Sequence, residues 1–256
     1  MVLYSSPIFG PVSSRRLGIS LGINLLPADG KCCSFDCLYC ECGLNAERHA
    51  TKGLPTCEEV AESLQRKLES MQALGQRPDV LTFAGNGEPT LHPQFPRIVD
   101  RVRGLRDRYF PEAKLSVLSN GTQVGRKEVL EALCRTDNPI IKLDTVDEQY
   151  IRLLDRPQCH YDVQRIVETL ATVGRKIVIQ TMFLGGTLEG RSVDNTGDEY
   201  VEPWLEALRT ISPRQVMIYT IARETPVASL RKTEPRVLDG IASRVRRQGL
   251  ECSVGY

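Results

Sequence analysis

The chain has 256 residues, enough to bury a sizeable core without covalent staples. Lys+Arg number 33 and Asp+Glu 32, a formal net charge of +1, so no global charge points to nucleic acid or to an anionic membrane. Nine cysteines are too few for a disulfide scaffold of this length. The start, Met-Val-Leu-Tyr-Ser-Ser-Pro, has no basic region ahead of an apolar stretch, and no apolar run approaches a membrane span. The expectation is a cytoplasmic protein without a membrane partner, in a reducing setting where clustered cysteines serve metals or redox chemistry.

Strands and helices alternate along the chain. Residues 17–26 form an apolar first strand that ends at Pro27, and the densest cysteine segment follows. Thr56-Cys57-Glu58-Glu59 is a capping-box pattern opening a helix to about Leu74. Residues 80–84 make the second strand, followed by Gly85-Asn86-Gly87-Glu88-Pro89-Thr90-Leu91 and a helix bearing Ile98, Val102 and Leu105. Residues 115–118 make the third strand, running into Ser119-Asn120-Gly121-Thr122, and a helix over 126–135 comes next. The fourth strand, 140–143, ends at Asp144 and precedes helices over 147–154 and 161–173. A fifth strand over 176–184, a helix over 199–211, a sixth strand over 216–221 and a helix over 236–248 complete the series. Cys252-Ser-Val has the character of a short terminal strand.

Six strand–helix units in order predict an α/β fold, a partial (β/α)6 barrel like a TIM barrel, with helices outside. The simplest organisation is one domain over 1–256, with the six units at about 17–221 and a C-terminal helix and tail at 222–256. Chemistry in such folds sits in loops at the carboxyl ends of the strands. The cysteine loop, Gly85–Thr90, Ser119–Asn120 and Asp144 all follow strands.

Five of the cysteines, Cys32, Cys33, Cys37, Cys40 and Cys42, lie within eleven residues, whereas Cys57, Cys134, Cys159 and Cys252 are scattered and read as packing thiols. Cys33-Ser-Phe-Asp-Cys37-Leu-Tyr-Cys40 is a C-x3-C-x2-C run. A zinc-binding structural module is the competing reading, but no second Cys/His pair follows, and His49, His92 and His160 are isolated. Three thiolates suit an iron–sulfur cluster that keeps one iron open. Cys32 and Cys42 are expected to support the loop rather than ligate.

The C-x3-C-x2-C run with Tyr39 before its third cysteine resembles the signature of radical S-adenosylmethionine (radical SAM) enzymes. Gly85-Asn86-Gly87-Glu88-Pro89 resembles their Gly-Gly-Glu-Pro motif. The runs Phe83–His92, Phe9–Gly18, Lys142–Thr145 and Asp155–Pro157 are similar to a group of small iron–sulfur oxidoreductases related to the radical enzymes of wyosine synthesis in tRNA. The resemblance implies that Cys33, Cys37 and Cys40 hold three irons of one 4Fe-4S cluster, whose fourth iron binds S-adenosylmethionine. Reductive cleavage would then yield a 5′-deoxyadenosyl radical that takes hydrogen from a substrate. Gly85 and Gly87 would let the backbone approach the methionine group, Glu88 would pin the loop or bind its ammonium, and Tyr39 would meet the adenine. Asn86 belongs to the same motif. Ser119, Asn120, Asp144 and Gln180 are further candidates for cofactor contact.

No catalytic residue beyond the cluster ligands is assigned, and the substrate, a small molecule, peptide or RNA, is not named by the sequence. A flavodoxin or ferredoxin is the expected reductant. Within the same class stand a tRNA-base modifying enzyme and a glycyl-radical activase. Eight Lys/Arg against three Asp/Glu between Arg214 and Arg247 give a local excess suited to RNA, but no RNA-binding module or stacking platform accompanies it. Arg15 and Arg16 stand before the first strand as a phosphate or carboxylate pair, or as a solvated edge.

Overall fold

The computed structural model describes residues 2–14 and 17–256, so Arg15 and Arg16 lie outside the described residues. The strands are β1 (Ile8–Ser14), β2 (Gly18–Ile23), β3 (Val80–Phe83), β4 (Lys114–Ser119), β5 (Asn138–Lys142), β6 (Val178–Met182), β7 (Leu184–Leu188), β8 (Arg191–Ser192), β9 (Gln215–Tyr219), β10 (Leu230–Lys232) and β11 (Glu251–Gly255). The helices are α1 (Cys57–Ala73), α2 (Phe95–Tyr109), α3 (Lys127–Cys134), α4 (Glu148–Leu154), α5 (Val163–Ala171), α6 (Asp198–Ile211) and α7 (Pro235–Arg247).

An eight-stranded sheet runs β1-β2-β3-β4-β5-β6-β9-β11. The seven strands from β2 to β11 in that order are parallel, and β1 pairs antiparallel with β2. The sheet curls into a partial (β/α) barrel with the helices outside, as the alternation predicts. The terminal strand expected around Cys252 is β11, the seventh parallel strand. No pattern in the sequence marks β1, because Pro7 precedes it and Gly10 and Pro11 interrupt it. The fifth strand also differs from its expected span. It ends at Met182, and the chain turns at Phe183 into a separate small sheet, β10-β7-β8.

Strand alternation sorts side chains into two layers. Leu21, Ile23, Leu81, Phe83, Leu115, Val117, Ile141, Ile179, Val216 and Ile218 face outward and bury against the helices. That apolar area is the main stabilising contribution to the fold. The residues between them face the lumen. Ser20, Thr82, Leu118, Ile140, Gln180 and Met217 line a cavity of about 360 Å³ there. The lumen is thus floored by small or uncharged side chains, while the hydrophobic core lies outside the sheet.

The helices stop and start where local chemistry dictates. The side chain of Thr56 accepts from the Glu59 N–H and the Glu59 carboxylate accepts from the Thr56 N–H, the reciprocal capping box read from the sequence. Asp147 and Asp162 cap α4 and α5 by accepting from the N–H groups of Tyr150 and Arg165. No helix among the described residues is long and apolar enough to cross a membrane.

Candidate cluster and cofactor site

The cysteine loop leaves the carboxyl end of β2 and is fastened along both sides. On one side Cys32 forms an isolated parallel bridge with Gly87, its N–H donating to the Asn86 carbonyl at 2.9 Å and its carbonyl accepting from the Glu88 N–H at 3.1 Å. On the other side, the N–H groups of Asp36 and Leu38 donate to Asp155 and Leu154 at the end of α4. Phe35, Leu38 and Tyr39 sink into an apolar cluster with Tyr150, Leu154, Met182, Leu184 and Val193. The protein's own contacts therefore set the shape of the loop.

Within it, Cys37 is buried and Cys33 and Cys40 are half-buried, and all nine cysteines are free thiols. Burial, followed by the nearby Glu88, pushes the Cys33 thiol up to about 12, and burial pushes Cys37 up as well. A hydrogen bond shared with Cys42, working against burial, holds Cys40 down at about 6 and leaves Cys42 raised. Among the described residues no three His, Cys, Asp or Glu side chains converge closely enough to hold a single metal ion. Cys40 bears on the ionisation of both Cys33 and Cys37, and Cys33 on that of Cys37. Thiols whose ionisation burial opposes fit a bound group that brings its own positive charge.

Gly87 and Gly85 form the facing wall, at φ +136° and +137°. A β-carbon on Gly87 would fall 1.9 Å from the Cys32 carbonyl oxygen, and one on Gly85 2.6 Å from the Asn24 side chain. Only glycine allows this approach. Gly85 lines the cavity together with Tyr39, Cys40, Cys42 and Gln180. The side chain of Asn86 turns the other way. It accepts from the Tyr4 N–H and donates to the carbonyls of Tyr4 and Pro27, so it anchors the N-terminal segment.

Glu88 is 2% exposed, and burial raises its carboxyl above the ordinary value despite four donors. One oxygen accepts from the Thr90 N–H and hydroxyl and from Ser119 Oγ at 2.9 Å; the other accepts from the Asn120 N–H at 2.6 Å. Glu88 thus ties the loop after β3 to the end of β4. Asn120 continues the chain of contacts, donating to Ser34 Oγ at 2.9 Å and approaching Cys33 Sγ at 3.7 Å.

At the end of β5 a charged knot lies beneath Tyr39. Asp144 accepts from the Tyr39 hydroxyl, from Lys142 Nζ at 3.3 Å and from the Met182 N–H at 2.8 Å. Lys142 also donates to the Tyr39 hydroxyl and lies 4.4 Å from its ring centroid. Asp155 accepts from the Tyr39 hydroxyl at 3.3 Å and from the Cys37 thiol at 3.5 Å. Burial and then Asp144 push the Asp155 carboxyl up to about 8. In the sequence Lys142 and Asp155 enter only through a resemblance. Their juxtaposition with Cys37 joins two loops that are distant in sequence, so no local pattern reveals it. Gln180 faces inward, beside Lys142 and Met217 in register.

The N-terminal segment closes one side of the lumen. The Phe9 ring occupies the place a side chain at Gly22 would fill and packs on Tyr4, with centroids 4.5 Å apart. Arg223 bonds both Tyr4 Oη and the Glu41 carboxylate, the latter at 2.6 Å. Tyr4, Phe9, Glu41 and Arg223 all line the cavity.

Comparison with known proteins agrees with this architecture. The chain is 29% identical over 220 residues to a "UPF0026 protein" of Methanocaldococcus jannaschii, covering 84% of this chain and 63% of that one. The chain thus spans under two thirds of that relative's length. A radical SAM methyltransferase from Sphaerobacter thermophilus superposes with a TM-score of 0.66 at 16% identity, over 92% of this chain and 65% of that one. Streptococcus suis SuiB bound to S-adenosylmethionine gives a TM-score of 0.63 at 15% identity, over 90% and 50%. Archaeal TYW1 gives 0.53 at 12% identity, over 90% and 72%. These likenesses show the shared fold. The family model for the radical SAM superfamily matches residues 29–211, from the cysteine loop through α6, and the chain belongs to that superfamily.

Proposed function

We propose that Cys33, Cys37 and Cys40 hold three irons of one 4Fe-4S cluster, that S-adenosylmethionine binds between this loop and the lumen, and that the protein is a cytoplasmic radical enzyme. The observation that carries this reading is the close pairing of Cys32 with Gly87, which sets the three-cysteine loop against a glycine wall at the lumen rim. When bound, the cluster and S-adenosylmethionine supply reductive cleavage and the 5′-deoxyadenosyl radical. The chain's own residues orient and shield. Gly85 and Gly87 leave room for a methionine group at the wall. Ser119, Asn120 and Glu88 brace that wall, and Asn86 fixes it to the N-terminal segment. Tyr39 and Gln180 border the lumen where the nucleoside would lie, and Asp144 holds Tyr39 from beneath. Phe9, Tyr4 and the Arg223–Glu41 pair keep bulk water from the lumen.

A substrate, whether small molecule, peptide or RNA, would meet this N-terminal wall at the lumen. A flavodoxin or ferredoxin supplies the electron. Anaerobic reconstitution tests the reading. The wild-type protein should bind about four irons per chain, and with dithionite and S-adenosylmethionine it should release 5′-deoxyadenosine. Cys37→Ala should abolish that release. Bound zinc with no cluster, or full cleavage by Cys37→Ala, would overturn the assignment.

A further inference from the structure

The floor of the lumen carries a polar feature that neither the cluster nor the cofactor uses. Ser20 on β2 and Thr82 on β3 face inward, 5% and 4% exposed, and their hydroxyl oxygens lie 2.8 Å apart. Such a pair has two hydroxyl hydrogens and uses one in the bond between them. The second hydrogen has no acceptor among the described residues, and both side chains line the cavity. Gly85 follows the end of β3, so the pair lies inside the barrel beneath the glycine wall. A buried donor left unpaired is destabilising. An open donor at the base of a cavity therefore points to an acceptor on whatever fills it.

Beside this pair the floor is apolar. Leu118, Ile140 and Met217 line the cavity and pack with Val178 and Leu17 into a cluster of their own. Among the described residues lining the cavity only Glu41 and Arg223 are charged, and they bond each other at 2.6 Å. Lys142 gives its ammonium to Asp144 and to the Tyr39 hydroxyl. An ionised group brought to the floor would lose its water and gain no counter-charge from these residues. A neutral group would lose little and would bury apolar surface.

We infer that the lumen floor is the substrate site and that it takes a small uncharged molecule, apolar over most of its surface, whose carbonyl or similar acceptor receives the open hydroxyl hydrogen of the Ser20–Thr82 pair. This rests on the function proposed above, in which the cofactor occupies the rim. The cavity of about 360 Å³ also takes the nucleoside, so the molecule beneath it is small.

The test uses three probes of similar shape: isovaleramide, which is neutral with one carbonyl, isovalerate, which is anionic, and isopentylamine, which is cationic. Each is titrated at neutral pH into anaerobically reconstituted protein holding S-adenosylmethionine without reductant, and binding is read by saturation-transfer nuclear magnetic resonance. Isovaleramide should bind saturably, and both charged probes at least about tenfold more weakly. The same titration is made on the double variant Ser20→Ala with Thr82→Val, which removes donor and acceptor together and leaves neither orphaned. It should keep its denaturation midpoint and iron content and lose about fivefold in isovaleramide affinity. Absent isovaleramide binding, equal binding of a charged probe, or an unchanged affinity in the double variant would overturn the inference while leaving the proposed function standing. So would a matching loss of S-adenosylmethionine affinity in the double variant, since it would place the pair in the cofactor site. A wild-type protein that takes up no cluster would overturn both.

Discussion

The carbonyl oxygen of Cys32 occupies the space that a β-carbon on Gly87 would need, 1.9 Å away. The two loops that frame the candidate site are therefore bonded backbone to backbone, with no side chain between them. Gly87→Ala should force them apart. The positive φ alone costs about 1–3 kcal/mol, and loss of the bridging hydrogen bonds adds to it. The expected result is a lowered midpoint in urea denaturation and a reconstituted protein that retains little iron. A variant with wild-type stability and full iron content would show that the bridge is dispensable.

Much of this arrangement is legible in the sequence, for physical reasons. Thr56 and Glu59 announce the start of α1 because a capping box is local, and the capping bonds are present. Parallel strands buried under helices read as apolar runs, which locates six of the seven, and Cys252 marks the seventh. The cysteine spacing and the Gly-Asn-Gly-Glu turn are local too. What escapes is what depends on pairing across the chain. Asn86 sits in the motif, yet its side chain goes to Tyr4 and Pro27. Lys142 and Asp155 meet at Tyr39 only because α4 docks beside the cysteine loop. Alternation shows that Gln180 and Ile179 face opposite ways, but only curling of the sheet decides which one meets the lumen.

Gln180 tests the lumen directly. It is buried to 8% exposure on β6 and borders the cavity. Gln180→Leu preserves its volume and removes a polar amide, so stability should hold or rise slightly. Loss of one hydrogen bond to a bound nucleoside amounts to roughly 1 kcal/mol, about fivefold in affinity. Equilibrium dialysis of S-adenosylmethionine with the reconstituted protein should show that weakening. Unchanged affinity would remove Gln180 from the cofactor site.

Trp204 reports on the support beneath Asp144. Its indole N–H is 3.1 Å from both the Leu143 carbonyl and Thr181 Oγ1, and its ring meets Phe183 edge-on at 5.3 Å. Trp204→Phe removes the donor and some volume from a fully buried position. A loss of roughly 1–3 kcal/mol is expected, read as a lower denaturation midpoint. Because the indole touches none of the three cysteines, iron content at room temperature should match wild type. A loss of iron without a loss of stability would contradict this separation.

Asp137 provides a pH-dependent check of the lower half of the barrel. Its carboxylate accepts from Arg106 Nη1 at 2.7 Å and from the Leu115 N–H at 2.7 Å, and Arg106 also holds the Ala113 carbonyl at 2.6 Å. Burial alone would raise the carboxyl, but the hydrogen bonds from Arg106 and Leu115 outweigh it and hold Asp137 below its ordinary value of 3.8. The folded state therefore binds this proton less readily than the unfolded chain. The resulting stabilisation is fully present above 3.8 and is lost as pH falls through the lower, folded value. With a third of the side chain exposed, solvent screening keeps the ion-pair contribution to about 1 kcal/mol or less. Asp137→Asn should thus lower the urea midpoint at pH near 7, and the gap to wild type should narrow as both are acidified below the ordinary carboxylate range. A constant gap across that range would show that the carboxylate's charge contributes nothing and that the substitution acts only through the shape and hydrogen bonding of the amide.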